Sequence, residues 1–399
     1  RQDKGTDMGK IINNDYTFLN YALALFFLAS PIESIALSEG FSIAKFSALM
    51  VLLGWATQGF KTKQSLMIRS FVMLAIYASL TILWSIEKSN STNQVLMFLW
   101  PSIIVTVAMN YSIRCNEDIY LYLKAYIMGC LISTVSTFMF RDVALAAAEF
   151  AGQERLTAFG QDQNTLAFLL CVGFTIVLDY FRRSQNVKYR YACLVFLVAF
   201  VVVILSTGSR TGLLLTAFVF SLYFLSSGSV RNFILMILLI LLLSPVIYNY
   251  IPESIWNRFL ETNDLIENGN FSDRGDIWSS GLSALLEENF VLGVGYSNFS
   301  TMLRQHFGWQ MASHNTYLSY LADFGIIGFS IFLTVLYRLF KIVWGIYKSN
   351  KDIYILAYII PFFVVMFVLE TEYKRWLFIY GVILESYYNL NYINNYSNK

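Results

Sequence analysis

The chain has 399 residues, 57% of them hydrophobic and only 14% charged, with a formal net charge of +2. Together with a mean hydropathy of +0.55, this excludes a large soluble protein and points to an all-α polytopic membrane protein. No soluble domain larger than a long loop fits between the apolar runs, so residues 1–399 are expected to form a single integral membrane unit.

Apolar runs of about 20 residues, the length that crosses a bilayer, recur throughout. Twelve are read, at 16–37, 41–57, 66–85, 95–112, 118–140, 164–181, 189–206, 211–226, 230–249, 315–342, 352–369 and 373–391. The first is long enough to remain as an anchor, and no cleavable signal peptide is read. The short connections Phe181–Arg190 and Arg338–Lys351 are strongly basic. By the positive-inside rule they face the cytoplasm, which puts both termini there as well. Cys115, Cys130, Cys171 and Cys193 have the spacing of neither a zinc site nor a disulfide framework.

Two loops on the opposite side exceed what a turn requires, 141–163 and the larger 250–313. The larger loop reads as a series of short amphipathic helices. One carries Ile255, Trp256, Phe259 and Leu260. A second, capped by Ser272-Asp273, carries Ile277, Trp278, Leu282, Leu285 and Leu286. A third, Ser297–Phe307, brings Phe299, Met302 and Leu303 together. Such helices lie on a bilayer interface or roof a cavity between spans. Neither an internal repeat nor an inverted symmetry between halves is evident.

Three basic or protonatable side chains stand at predicted helix starts on this outer face. Arg210 lies in Ser206-Thr207-Gly208-Ser209-Arg210-Thr211, and Arg274 follows Ser272-Asp273. His314, one of two histidines, lies in Ser313-His314-Asn315-Thr316-Tyr317, ahead of Gly325-Ile326-Ile327-Gly328, which is expected to close a helix. Helix N-termini favour anions, and an arginine there adds a fork suited to phosphate oxygens. Histidine exchanges a proton near neutral pH. Each also has a bland reading. Arg210 can be a snorkelling arginine, although arginine on the outer side runs against the positive-inside bias. Arg274 can pair with Asp273, Asp276 or Glu287, and His314 can hydrogen-bond Asn315 or Tyr317. His306 has no comparable context and reads as structural.

Among acids, Glu370 and Glu372 share a short outer turn with Lys374 and Arg375. They read as a self-neutralising cluster, or one carboxylate orients the histidine. Arg155, Asp162 and Asn164 border the sixth span. No Asp-x-Asp pair occurs in an outer loop and no His/Cys/carboxylate set has ligand spacing, so no cofactor is expected and arginines would neutralise charge in place of a metal.

Three segments resemble the O-antigen polymerase and O-antigen ligase superfamily. They are Ser209–Gly212, the run from Arg274 and Trp278 through Gly293-Val294-Gly295 to Asn298-Phe299, and His314-Asn315 with Gly325 and Gly328. The resemblance is strongest over 150–330, and the twelve-span layout with a late outer loop extends it to the whole chain. It implies a GT-C-like membrane glycosyltransferase of the inverting type, in the bacterial inner membrane, with its site on the periplasmic face. The implied donor is a glycan on undecaprenyl diphosphate. By position, Arg210 and Arg274 would hold the diphosphate and His314 would activate the acceptor hydroxyl. Arg155 matches a further basic element, and Glu370 or Glu372 a late acidic one, Glu372 being placed with the catalytic set. Asn315, Tyr317 and Arg375 are added as substrate-binding residues. The element Leu83-Trp84-Ser85-Ile86-Glu87 inclines the resemblance to a polymerase. A ligase acting on lipid A–core is the alternative. Membrane lipids and a chain-length regulator are the other partners implied; nucleic acid is not. A flippase for the same lipid-linked glycan is a third reading, disfavoured because charges within the spans form no series.

Overall fold

The computed structural model describes residues 16–38, 41–140, 156–227, 274–370 and 375–393, with scattered positions between 234 and 257. Apart from one small hairpin of β1 (Ala36–Ser38) and β2 (Phe41–Ser42), regular structure among these residues is helical. In chain order the helices are α1 (Phe18–Ala29), α2 (Ile43–Thr57), α3 (Leu66–Thr81), α4 (Lys88–Phe98), α5 (Val105–Ser112), α6 (Asn116–Met139) and α7 (Gln163–Arg183). They continue with α8 (Val187–Ser206), α9 (Arg210–Ser227), α10 (Arg274–Glu287), α11 (Phe299–Phe307), α12 (Thr316–Asn350), α13 (Ile360–Val365) and α14 (Trp376–Tyr388).

Among the described residues, five helical stretches are long and apolar enough to cross a membrane: Lys88–Ser112, Asn116–Met139, Gln163–Arg183, Val187–Ser206 and Thr316–Asn350. Five further apolar segments are shorter, so the structure supports an integral membrane protein without displaying twelve full spans. The first stretch joins α4 to α5 through a π-helical turn, Leu99–Ile104. Pro101 lies in that turn; its missing N–H and bulky ring forbid regular α-helical bonding there. In α7, burial extends around most of the helix, from Thr165 to Leu178, as expected of the centre of a bundle. Val195 and Leu214, on α8 and α9, are instead exposed apolar side chains, as lipid-facing residues are.

The predicted span 315–342 is α12, which runs on to Asn350. Gly325 does not close this helix. It kinks it, with φ +60° and ψ −171° inside an otherwise continuous run. The short loop helices α10 and α11 form a satellite core on the first turns of α12, built from Ile277, Leu285, Val294, Phe299, Met302 and Ala322. The predicted apolar stripe of α10 is only partly used. Ile277 and Leu285 are buried, whereas Leu282 and Leu286 are exposed. Phe299, Met302 and Leu303 are buried together in α11, as the spacing predicts.

Candidate active site

The site is organised by the kink in α12. A kink frees carbonyls and amides that a straight helix would pair, and here a second strand of backbone takes them. Val294 N–H donates to Ala322 O at 2.9 Å and Gly295 N–H to Asp323 O at 3.0 Å, while Ile326 N–H donates to Phe290 O at 3.0 Å. The Tyr77 hydroxyl donates to Phe324 O at 3.0 Å. The two chains approach so closely that only glycine fits at the crossing. A Cβ on Gly325 would lie 2.3 Å from Val291 O, and one on Gly293 would lie 2.4 Å from Gly325 N. Both residues also have positive φ. The Gly293-Val294-Gly295 and Gly325…Gly328 motifs are thus two halves of one crossing.

The Leu83–Glu87 element closes the other side of this strand. Trp84 Nε1 donates to Leu292 O at 3.2 Å, and Ile86 N–H to Val294 O at 3.1 Å. The Asn298 amide donates to Ser85 Oγ at 2.7 Å and Ser91 Oγ at 2.9 Å. Asp323, fully buried, collects three backbone N–H groups with its carboxylate: Ser297 at 2.5 Å, Asn298 at 2.9 Å and Phe299 at 3.0 Å. One acid thereby holds the start of α11 against α12. Sequence reasoning passed over Asp323 because its partners lie 24–26 residues away.

His314 sits in the turn that starts α12, at φ +47°. Ser313 Oγ accepts from Asn315 N–H at 3.0 Å. Asn315 Oδ1 caps the helix by accepting from Leu318 N–H at 3.1 Å. Trp278 of α10 donates from Nε1 to Ser313 O at 2.9 Å. Thr316 donates from N–H to Met366 O at 2.7 Å and from Oγ1 to Leu369 O at 2.6 Å. The Glu370 carboxylate accepts from Ser313 N–H, and also from Ser319 Oγ at 3.5 Å. A non-glycine residue held at positive φ by so many contacts is a strained, over-determined position of the kind found at functional sites.

A cavity of about 330 Å³ opens beside this turn, lined by His314, Glu370, Ser297, Ser300, Gln310 and Met311 among others. That is at the lower end of small-ligand pockets, roughly 300–1,000 Å³. Ser297, at φ +66°, is a second left-handed non-glycine residue on its wall. The His314 side chain makes no hydrogen bond or ion pair among the described residues, which leaves both ring nitrogens available to a ligand.

Arg274 is the first residue of α10, one turn before Trp278. The i, i+4 spacing sets it on the helix face that grips the His314 turn. Arg210 begins α9, where Gly208 at φ +61° reverses the chain and Ser209 Oγ caps by accepting from Gly212 N–H at 3.2 Å. Both α9 and α12 pack against the segment 353–358 that leads up to Glu370.

Other expected residues take different places. Asn315 is spent on the cap, and the Tyr317 hydroxyl donates to Phe363 O at 3.0 Å; neither lines the cavity. Arg375 is buried and pairs at 2.9 Å with Glu33, just past the turn Ser30–Ile32 that follows α1, its guanidinium over the Phe26 ring of α1 at 4.8 Å. Among the described residues, buried Arg375 is thus neutralised by a long-range ion pair, the partner that burial of a charge demands. Asp162 caps α7 through Thr165 N–H at 2.8 Å. His306 bonds Glu288 at 3.0 Å. Arg155, Glu372, Lys374, Ser272 and Asp273 lie outside the described residues.

No curated protein matches this chain. A family model does: residues 194–333 match the family described as O-antigen ligase. That stretch begins within α8, spans Arg210, Arg274 and His314, and ends beyond the kink of α12. Over residues 194–333, about a third of its length, the chain is similar to the O-antigen ligase family that its motifs resemble.

Proposed function

We infer that the protein is a membrane glycosyltransferase that moves a glycan from a polyprenyl diphosphate, such as undecaprenyl diphosphate, to a sugar hydroxyl. The observation that carries this reading is the His314 turn. A histidine whose ring nitrogens have no hydrogen-bond partner among the described residues lines a cavity of about 330 Å³, the adjacent backbone locked by Glu370 and by the helix that begins at Arg274. The matched family supports it, since that family implies lipid-linked glycan substrates.

In the proposed step, the acceptor hydroxyl oxygen attacks the anomeric carbon from the face opposite the diphosphate. The bond from that carbon to the phosphate oxygen breaks, and its electron pair leaves with the diphosphate. The hydroxyl proton passes to His314, and attack from the opposite face inverts the anomeric configuration. Charge growing on the leaving diphosphate is met by Arg274 and Arg210, each at a helix N-terminus. Glu370, lining the same cavity and bonded to the residue before His314, is the carboxylate placed to stabilise the imidazolium. That role moves from Glu372 to Glu370.

We assign the acceptor as another lipid-linked repeat unit, which makes the protein a surface-polysaccharide polymerase with its site on the periplasmic face of the inner membrane and both termini in the cytoplasm. The Leu83–Glu87 element, built into the site through Ser85 and Ile86, supports this choice. The description of the matched family favours a second reading, ligation to lipid A–core. Purified protein in lipid, given the native repeat unit on a short-tailed lipid diphosphate with and without core lipopolysaccharide, separates the two. A ladder from donor alone is the expected result. Product only in the presence of core would make it a ligase.

A further inference from the structure

One wall of the His314 cavity has chemistry of its own. It comprises Ser297 and Ser300 at the start of α11 and Gln310 and Met311 just past its end. The Ser300 hydroxyl and the Gln310 amide make no hydrogen bond among the described residues. Beside them Met311 is 45% exposed. The wall thus offers a hydroxyl, an amide that both donates and accepts, and an apolar patch. These match the hydroxyl edge and C–H face of a sugar ring.

The wall is also held rigid. Its backbone is bound by the Asp323 carboxylate through Ser297, Asn298 and Phe299. The Asn90 amide secures Ser297 O at 2.7 Å.

Charge decides which substrate it faces. Ser297, Ser300, Gln310 and Met311 carry no positive charge, and the nearest acid on the cavity is Glu370. Arg304, the arginine of α11, is turned to Glu87 at 3.4 Å. Among the described residues that line this wall, a diphosphate would meet a carboxylate and no arginine or lysine, whereas an uncharged polyol would not be penalised.

We propose that this wall is the acceptor-sugar subsite, with Ser300 and Gln310 reading the acceptor's hydroxyls. The assignment rests on the transferase reading above. It separates acceptor recognition, on α11 and the segment after it, from diphosphate recognition by the arginines of α9 and α10.

The test uses an acceptor that cannot act as a donor: the acceptor glycan on a short alkyl chain with no diphosphate, titrated against saturating lipid-diphosphate donor. The glycan is the repeat unit or the core oligosaccharide, whichever the wild-type protein extends. Ser300→Ala and Gln310→Ala should each raise the acceptor KM roughly three- to tenfold, the loss of one hydrogen bond. The donor KM and kcat should stay within about twofold. An unchanged acceptor KM, or a rise in donor KM instead, would overturn the assignment. If wild-type protein made no product with either glycan, the transferase reading itself would fall. If it turned over but the variants left KM unmoved, only the subsite would.

Discussion

The two ends of α12 spend their polar groups in opposite ways. At the Asn350 end, Arg182 grips Asp352 with two hydrogen bonds at 2.7 and 2.6 Å and Asp179 at 2.7 Å. Arg183 adds a bond to Asp179 at 2.9 Å, and the Arg182 guanidinium lies 4.7 Å from the Tyr354 ring centroid. Charges there pair with one another. At the Thr316 end, backbone groups are paired as well, but the side chains of His314, Ser300 and Gln310 face a cavity and make no hydrogen bond among the described residues. One end is built for stability. The other fixes its backbone and turns those side chains to a cavity.

The largest effect expected is at His314. His314→Ala should lower turnover by about 10²–10⁴-fold, the usual contribution of a general base, while binding of the lipid-diphosphate donor, read by fluorescence titration, stays near wild type. A flippase would tolerate the change. Next comes the crossing that fixes the site's backbone. Gly325→Ala places a Cβ 2.3 Å from Val291 O at a positive φ, and should cost on the order of 3 kcal/mol. Thermal unfolding followed by size-exclusion chromatography would show a large loss of folded protein.

Arg274→Ala and Arg210→Ala should each weaken use of limiting donor by roughly ten- to a hundredfold, the value of a charge-assisted contact. Acceptor dependence should be unaltered. Wild-type transfer at limiting donor by either variant would remove that arginine from the diphosphate site.

The smallest effect belongs to the paired end. Burial pushes the Asp352 carboxyl up, but the facing Arg182 guanidinium outweighs it and holds the group below its usual range. A depressed carboxyl adds stability above its unfolded pKa of about 3.9 and loses it as pH falls through the lower folded value. Asp352→Asn should therefore cost roughly 2 kcal/mol at neutral pH, with the gap to wild type closing below about pH 4. Turnover per folded molecule should not change.

Much of this contrast was legible in the chain, and the rest failed for physical reasons. The helix starts at Arg210 and just after His314 are local features, so Ser, Thr and Asn ahead of apolar runs announced them, although Asn315 was read as a substrate ligand and not as the cap it forms. The amphipathic face of α11 was equally plain. The glycine motifs were visible, but their purpose was not, because Gly293 and Gly325 acquire it only from each other across the fold. Gly325 looked like a terminator for the same reason: a helix that survives a left-handed glycine needs an outside strand to take its freed carbonyls. Glu370 and Glu372 were indistinguishable until the turn brought Glu370 to Ser313. Arg375 looked like a ligand-binding cation until its partner, Glu33, appeared 342 residues away.

The most direct measurement is photocrosslinking with a lipid-diphosphate glycan that carries a photoreactive group on the sugar next to the phosphate, followed by peptide mapping. Adducts on the turn that carries His314 and on the residues leading to Glu370, competed away by unmodified donor, are the predicted result. Competed adducts confined to the Asp179–Asp352 end, with none around His314, would contradict the account.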